Sequence, residues 1–450
     1  MTCPESSVLL HLASHFSTSL PQNWSLKRKK TTTSGRMKLL ACTWAFWALA
    51  FCLAQATKDI CTAKPKDLLE PMCIYRNPDP ELAEGKSSDE NIFLSPISIS
   101  TAFAMTKLGA CNTTLEQLMK VFRFDSIKEK TSDQVHYFFA KLNCRLYRKK
   151  HKTTELISAN RLFGDKSMHF NESFQHISEM VYGAKLMPLN FKEKPEVSRL
   201  AINEWIANKT ENRIKDTLPE GSIDSNTILV LVNTIYFKGQ WKHKFDKQNV
   251  MKVDFHVSKT HQCPVSMMYQ ERKFQYAKIT DDKVKILELP YNGGEITMVL
   301  ILPTDGITLS EVVANMTLKK LVGWIHAMKE TSVSVQVPRF RIEDSFSLKE
   351  QLTKMGLEDL FSPENASLPG MVADDGPNLY ISDAYHKAFL EVNEEGSEAA
   401  AATAVVATGR SLNIFRDYFV ADQPFLLLIR ESSINALIFT GRVSNPCGSS

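Results

Sequence analysis

An apolar, β-branched run at residues 227–237 constrains the fold of this 450-residue chain more than any other feature. A run this continuous is typical of a strand that is buried on both faces of its sheet. Residues 284–289 and 295–302 flank Asn292-Gly293-Gly294, and this arrangement predicts a hairpin. Three further strands are predicted at residues 333–337, 424–430 and 436–441. The chain is therefore expected to build an extensive sheet around a buried strand.

Helical spacing of apolar residues dominates the first half of the chain. It predicts helices at residues 98–108, 114–121, 130–152 and 197–209, the last with Trp205 on its apolar side. Helices that precede strands indicate an α+β fold rather than a regular βαβ alternation. The length alone suggests roughly three domains. However, the body of the chain has no Pro/Gly/Ser-rich linker, which favours one large domain or a fused pair.

The N-terminal part has the organisation of a secretory leader. Basic residues at 27–38 precede an apolar run at 39–53, and Ala54-Gln55-Ala56 places small residues at a cleavage site. We predict cleavage after Ala56 and an extracellular protein. A membrane anchor is the alternative, but the apolar run has only about fifteen residues and a spanning helix needs ~20.

Cysteines and glycosylation sequons agree with an oxidising compartment. Removal of the leader leaves six cysteines, which allow up to three disulfides in 15 possible pairings, and spacing does not choose among them. These are Cys61, Cys73, Cys111, Cys144, Cys263 and Cys447. Asn-x-Ser/Thr sequons occur at Asn112, Asn171, Asn208, Asn315 and Asn365. We find no Cys/His pattern for a metal, and a net charge of +4 is too weak to indicate a nucleic-acid partner.

An alanine-rich segment at residues 394–410 fits neither regular class. As a helix it would lack an apolar stripe, and as a flexible surface loop it would need no special composition. As a strand, it would place small residues such as Ser397, Ala399 and Ala401 on one face. The segment is therefore predicted to be either a flexible surface loop or a loop able to become a strand.

Four motifs in order along the chain resemble those of the serpin family. They are Asn-Ile-Phe-Leu-Ser-Pro from Asn91, Leu-Val-Asn-Thr-Ile-Tyr-Phe-Lys-Gly from Leu231, Glu-Glu-Gly-Ser from Glu394, and Phe-Thr-Gly-Arg from Phe439. The resemblance covers residues 59–450. It implies an α+β fold of three β-sheets surrounded by eight or nine helices. Together with the leader, the predicted organisation is an N-terminal extension and signal peptide at 1–56, a disulfide-tethered arm at 57–90, and a serpin domain at 91–450. The resemblance places the reactive loop at about 394–422.

The family resemblance implies a protease inhibitor that is consumed by its reaction. A trypsin-like protease would cleave the Arg410–Ser411 bond, since arginine fits its acidic pocket, and would be trapped as the loop inserts. The implied hinge comprises Glu394, Glu395, Gly396, Ser397, Ala399 and Ala401. Within the family the chain resembles heparin-activated inhibitors of thrombin and activated factor X in plasma. This implies a protease exosite at Tyr269 and Glu271 and a monomer that uses no cofactor except the polysaccharide.

Basic residues follow one side of the predicted helix at 130–152 with spacings of three and four. A solvated charged face is the ordinary interpretation of such spacing. The resemblance instead implies a site for heparin or heparan sulfate, with Cys61–Cys144 joining the arm to the helix. The implied residues are Lys64, Lys66, Arg76, Lys130, Phe138, Lys141, Arg145, Arg148, Lys149 and Lys152. The same comparison implies glycans at Asn112, Asn171 and Asn208.

One departure from the family lies between Arg76 and Asn91, where serpins carry a long amphipathic first helix. Here only a polar, acidic segment at residues 77–90 fills the space. Loss of a packed helix exposes apolar surface at a cost of about 25 cal/mol per Å². We therefore expect weaker heparin affinity and lower stability than in a relative with the helix. The alternative function is a non-inhibitory or inactive serpin. An enzyme is disfavoured, because no Gly-x-Ser-x-Gly elbow or phosphate loop occurs.

Overall fold

The computed structural model describes residues 90–127, 134–147, 154–304, 306–373, 379–397 and 416–447. All of them belong to the compact unit Pro65–Ser450. The described α-helices are α1 (Pro96–Lys107), α2 (Asn112–Val121), α3 (Gln134–Tyr147), α4 (Glu172–Tyr182), α5 (Pro195–Lys209), α6 (Leu309–Asn315), α7 (Leu318–Ala327) and α8 (Lys349–Lys354). The described strands are β1 (Ile92–Leu94), β2 (Thr154–Asp165), β3 (Met187–Leu189), β4 (Leu229–Gln240), β5 (Met251–His256), β6 (Gln262–Ile279), β7 (Val284–Pro290), β8 (Ile296–Pro303), β9 (Lys329–Pro338), β10 (Phe340–Ser347), β11 (Asp383–Val392), β12 (Gly396–Ser397), β13 (Asp417–Val420), β14 (Phe425–Glu431) and β15 (Ala436–Val443).

A six-stranded sheet in the order β10-β11-β12-β4-β2-β3 positions the candidate site. Strand β4 is buried along almost its whole length, as the apolar run predicted. It pairs antiparallel with β2 on one side and parallel with β11 on the other. Helix α1 lies against β4 and is buried nearly all round, so this strand has no exposed face.

The other described strands form a nine-stranded sheet: eight strands follow the order β1-β15-β14-β8-β7-β6-β9-β13, and β5 pairs with β6 beside this path. The long strand β6 pairs with β9 through residues 267–276 and with β7 through 275–279. It therefore joins two groups of strands into one sheet, so the described strands form two hydrogen-bonded sheets where three were expected. The predicted hairpin β7–β8 and the closing pair β14–β15 are both antiparallel, which confirms those predictions.

The described helices agree with the sequence patterns except at their ends. Helix α1 begins two residues earlier than predicted, where Ser95 accepts a hydrogen bond from Ser98 N and Pro96 occupies the first turn. Both residues suit a helix N-terminus, because proline needs no hydrogen-bond partner there. The helix predicted at 130–152 is present as α3, and its predicted flanks at 130–133 and 148–152 lie outside the described residues.

One disulfide connects distant parts of this unit. Cys263 on β6 is bonded to Cys447, with their Cα atoms 5.9 Å apart. Cys111 and Cys144 each form a disulfide as well, and Cys61 and Cys73 lie outside the described residues. In the part of the chain that the structure describes, no helix is long and apolar enough to traverse a bilayer. The predicted leader at 1–56 and the arm at 57–89 lie outside that part.

Candidate functional site: a partly opened sheet

Two residues of the predicted inserting segment, Gly396 and Ser397, form a strand of the six-stranded sheet. Ser397 pairs antiparallel with Val392 of β11 and with Gly239 of β4, and Gly396 pairs with Gln240. Strand β12 thus separates β4 from β11 at one end, which we call the open end of the β4–β11 seam. Partial insertion of the loop is a structural feature of this state.

Farther along the same seam, β4 and β11 contact each other directly. Seven parallel residue pairs run from Asp383–Val230 to Phe389–Tyr236. We call this stretch the closed segment of the seam. The buried side chain of His386 lies within it and is hydrogen-bonded to Asn233 through Nδ1. Further insertion of the loop has to replace these pairs.

Charged side chains hold the hinge at the open end. Arg339 donates a hydrogen bond from Nε to Glu394 Oε1 at 3.1 Å. Lys244 Nζ lies 2.6 Å from Glu395 Oε2, and this hydrogen bond holds the pKa of Glu395 below its usual range. Both glutamates are buried, so each is compensated by a cation rather than by water.

Backbone bonds add to the anchoring of the hinge. Trp241 N donates to Glu395 O at 2.9 Å, and Phe245 N donates to Glu394 O at 3.0 Å. The Trp241 indole N–H donates to Asn393 O at 2.9 Å. The segment after β4 therefore binds the hinge through the main chain, whatever the hinge side chains are.

The two inserted residues fill spaces that admit little else. Ser397 is fully buried, and its hydroxyl lies 2.6 Å from that of Tyr291. Burial raises the pKa of Tyr291 well above its usual value, so the phenol stays neutral as a hydrogen-bonding group. Gly396 has a φ of +146°, and a Cβ there would lie 2.0 Å from Gly239 O.

Three of the predicted heparin residues lie in the described part of α3. Phe138 is 3% exposed and belongs to the core, while Lys141 is 8% exposed and lies 4.4 Å from the centre of the Tyr137 ring. Arg145 donates from Nη2 to Ser433 Oγ at 2.6 Å and lies 3.9 Å from Glu431. In this state Arg145 has a protein anion as its neighbour.

Helix α3 is also connected to its neighbours through a buried histidine. His136 Nδ1 lies 2.6 Å from the Tyr182 hydroxyl of α4, and Nε2 lies 3.5 Å from Lys107 Nζ of α1. Burial and then the charge of Lys107 lower the pKa of His136 to about 3. The imidazole is therefore neutral and acts as a fixed link among the three helices.

The predicted exosite residues face the same side of β6. The Tyr269 hydroxyl lies 3.3 Å from Glu271 Oε2, and Arg416 Nη1 donates to the same oxygen at 2.7 Å. Arg416 also donates from Nε to the Tyr418 hydroxyl at 3.3 Å. Glu271 is thus bound to the C-terminal part of the predicted loop segment at 394–422, a contact that sequence reasoning did not identify.

Several predicted site residues lie outside the described residues. They are Lys64, Lys66, Arg76, Lys130, Arg148, Lys149, Lys152, Ala399, Ala401, Arg410 and Ser411. Sequence reasoning also missed the anchors of the hinge, Arg339, Lys244 and Tyr291. These residues are distant along the chain and belong to no recognisable local pattern. Among the hinge contacts, only Trp241 could have been suspected from the sequence, because it is a large apolar residue just after the β4 motif.

Comparison with known proteins places this geometry in context. Residues 81–446 match the family model for "Serpin (serine protease inhibitor)". Mouse antithrombin-III is 57% identical over 435 residues, covering 88% of this chain and 93% of the relative. Human antithrombin-III is 54% identical over 457 residues, covering 93% and 98%. The solved structure of human thyroxine-binding globulin matches with a TM-score of 0.75 at 29% identity, covering 84% of this chain and 98% of that one.

The human relative is longer than this chain over the aligned region. The human alignment extends over 457 positions, more than the whole 450-residue chain, although 93% of the chain takes part. The relative therefore has residues with no counterpart in this chain. The absence of a helix between Arg76 and Asn91 stays a prediction.

Proposed function

This chain belongs to the serpin family, and we propose that it is a secreted, heparin-activated inhibitor of coagulation proteases of the thrombin and activated factor X type. In this proposal the protease cleaves Arg410–Ser411 and is trapped when the cut loop inserts along the seam. The 54–57% identity with antithrombin-III over most of the chain supports this function and target class. In this proposal the protein is an inhibitor rather than an enzyme, and it is a monomer.

The open end of the seam is the observation that carries the mechanism. Gly396 and Ser397 already lie between β4 and β11, so insertion can propagate from an existing strand. It exchanges the direct pairs of the closed segment for pairs on both sides of a new strand. Each hydrogen bond gained contributes about 0.5–1.5 kcal/mol. A strand inserted between β4 and β11 forms backbone hydrogen bonds with both neighbours, so many such bonds are gained. Cleavage at Arg410 supplies the free end that such a movement needs.

Heparin activation is proposed to act through α3. A sulfated chain would compete with Ser433 and Glu431 for Arg145, whose guanidinium forks suit sulfate oxyanions. Lys141 would have to turn out of its buried position to reach the same chain. Since His136 joins α3 to α1 and α4, a shift of α3 would be transmitted into the body of the domain. The expected result is release of the hinge from the open end.

The first test is incubation of the secreted protein with thrombin, with and without heparin, followed by denaturing gel electrophoresis. A heparin-accelerated, SDS-resistant band at the summed mass is expected. Arg410→Gln should abolish the band, because glutamine does not occupy the acidic pocket. Cleavage after Arg410 without a complex would contradict inhibition and favour the inactive-serpin alternative.

A matched pair of variants tests the heparin site. Arg145→Gln removes a charge-assisted contact worth about 1.5–3 kcal/mol, so heparin affinity should fall roughly 10- to 100-fold. Lys120→Gln removes one positive charge from the exposed side of α2 and should leave affinity nearly unchanged. Equal losses in the two variants would mean that only overall charge matters, and the α3 site would be wrong.

A further inference from the structure

One sequon that the proposed function does not use lies at the junction of two helices. In Asn315-Met316-Thr317, Asn315 ends α6 and Thr317 caps α7. Asn315 and Thr317 are exposed, while Met316 between them is buried. The buried methionine fixes the junction against the core, so that the asparagine and the threonine both face solvent. This is the surface placement that an N-linked glycan requires.

The hydrogen bonds of the sequon are compatible with a sugar. Asn315 Nδ2 donates one hydrogen bond, to Glu311 O at 2.9 Å. An amide nitrogen carries two hydrogens, and a glycosidic bond replaces one of them. The contact with Glu311 can therefore persist after modification. Thr317 Oγ1 accepts from Lys320 N at 3.2 Å, so its side chain is engaged only as a helix cap.

Asn315 also lies at the rim of a cavity of about 240 Å³. Ile307, Val312 and Trp324 supply its apolar wall. Trp324 Nε1 and Lys320 Nζ donate to the two carboxylate oxygens of Asp282 at 2.7 and 2.6 Å. The cavity thus combines an aromatic wall with charged hydrogen-bonding groups, a combination that suits the apolar face and the hydroxyls of a sugar.

The size of the cavity limits its occupant. Small-molecule sites usually enclose about 300–1,000 Å³, so this one is below that range and suits a single ring. A sugar attached at the rim would be held there by its covalent bond. Tethering raises the effective concentration of a ligand greatly, so weak contacts are sufficient.

We propose that Asn315 carries an N-linked glycan and that its first N-acetylglucosamine lies in the cavity between α6, α7 and the β6–β7 turn. The inference rests on the secretion that the proposed function includes. It adds a modification site beyond the three that the family resemblance implied at Asn112, Asn171 and Asn208.

Occupancy is tested by peptide mapping of the full chain secreted from mammalian cells, after release of glycans by peptide N-glycosidase in ¹⁸O-water. The expected result is labelled aspartate at 315. An unlabelled Asn315 with label at Asn112, Asn171 and Asn208 would overturn this proposal alone. An unlabelled chain at every sequon would overturn it together with the glycans implied at Asn112, Asn171 and Asn208. Secretion, on which the proposed function depends, is tested separately by recovery of the chain from the medium.

Two substitutions separate the glycan from the helix cap. Thr317→Asp destroys the sequon but keeps a good N-cap residue for α7, so it should be secreted without label at 315. Thr317→Ser keeps both the cap and the sequon and should retain the label. Loss of the ¹⁸O label in both variants, or its retention in both, would contradict the assignment of that label to an N-glycan at Asn315.

The position of the first sugar is tested by comparing two enzymes on protein with high-mannose glycans. Endoglycosidase H leaves one N-acetylglucosamine, whereas peptide N-glycosidase F leaves none. Amide hydrogen exchange of Glu311 and Val312 should be at least fivefold slower in the first product. Asn315→Gln, which bears no sugar and no new charge, should match the second. Equal exchange in all three forms would show that the sugar does not lie in the cavity and would overturn that part of the proposal.

Discussion

The two parts of the β4–β11 seam are held together by different forces. At the open end, β12 lies between the strands and is anchored by Arg339, Lys244 and the hydroxyl of Tyr291. In the closed segment the strands pair directly, and the polar groups belong to buried His386 and Asn233. The side chains of Arg339 and Lys244 are 38% and 21% exposed, so water can replace their glutamate partners at low cost. The glutamates, Ser397 and Tyr291 are themselves buried, as is the His386–Asn233 pair of the closed segment, and buried groups lose more when a partner is removed.

This difference indicates how one sheet can be stable and yet ready to change. At the open end a short strand is already in place, and its cationic anchors Arg339 and Lys244 can exchange their glutamate partners for water. Small perturbations should therefore shift the hinge. The closed segment supplies the barrier, because its pairs and its neutral histidine must be disrupted before a longer strand enters. Substitutions and pH can act on one part or the other.

The largest effect is expected from acidification of the closed segment. Burial lowers the pKa of His386 from 6.5 to about 3, so the unfolded chain binds a proton that the folded chain does not. The free energy of unfolding should therefore fall by about 1.4 kcal/mol per pH unit below pH 6.5 from this histidine. Urea unfolding of wild type and His386→Gln between pH 4.5 and 7.5 should show a shallower slope in the variant.

His176→Gln is the control for that experiment, since His176 is exposed on α4. Its slope should equal that of wild type. His136, whose pKa is also lowered to about 3, should contribute a slope of the same sign in every form. Parallel slopes for wild type and His386→Gln would contradict the assignment to the closed segment.

The next effect concerns the position of Ser397. Ser397→Trp cannot fit between β4 and β11, since over-packing of this kind costs about 1–3 kcal/mol or more. The hinge should leave the sheet, and heparin-free inhibition of the protease should rise roughly tenfold. Ser397→Ala, which removes only the hydroxyl bound to Tyr291, should change the rate much less. An unchanged or lower rate for the tryptophan variant would show that the hinge does not control activation.

Gly396 tests the backbone of the open end. Gly396→Ala places a Cβ against Gly239 O in a conformation with positive φ, which costs about 1–3 kcal/mol. Hydrogen exchange of the Trp241 amide, which donates to Glu395 O, should be about tenfold faster. Gly323→Ala, where a Cβ meets no atom within 4 Å, should leave exchange unchanged. Similar amide exchange of Trp241 in the two variants would show that the backbone conformation of Gly396 does not anchor the open end.

The smallest effect distinguishes two lysines that contact Glu395. Lys244 is 21% exposed and Lys247 62% exposed. Solvent-exposed ion pairs contribute only about 0–1 kcal/mol, so Lys247→Ala should hardly change exchange at the hinge. Lys244→Ala should accelerate it a few-fold. The reverse order would mean that burial does not set the strength of these contacts.

The sequence patterns predicted the elements whose residues are close together in the chain. The apolar run became β4, the Asn-Gly-Gly turn joined β7 to β8, and the family motifs identified the fold, because periodicity and turn chemistry are local properties. The helices α1 and α2 each begin two residues before the predicted start, because apolar spacing does not mark the polar residues at helix termini such as Ser95 and Asn112.

The sequence by itself determined the fold class, the family and the small size of the residues that can enter the sheet. Only the tertiary structure decided where that insertion begins and what opposes it. The contacts of Glu394 with Arg339 and of Ser397 with Tyr291 join residues that are 55 and 106 positions apart. Contacts over such separations depend on how strands are ordered in the folded sheet, and no local pattern encodes that order.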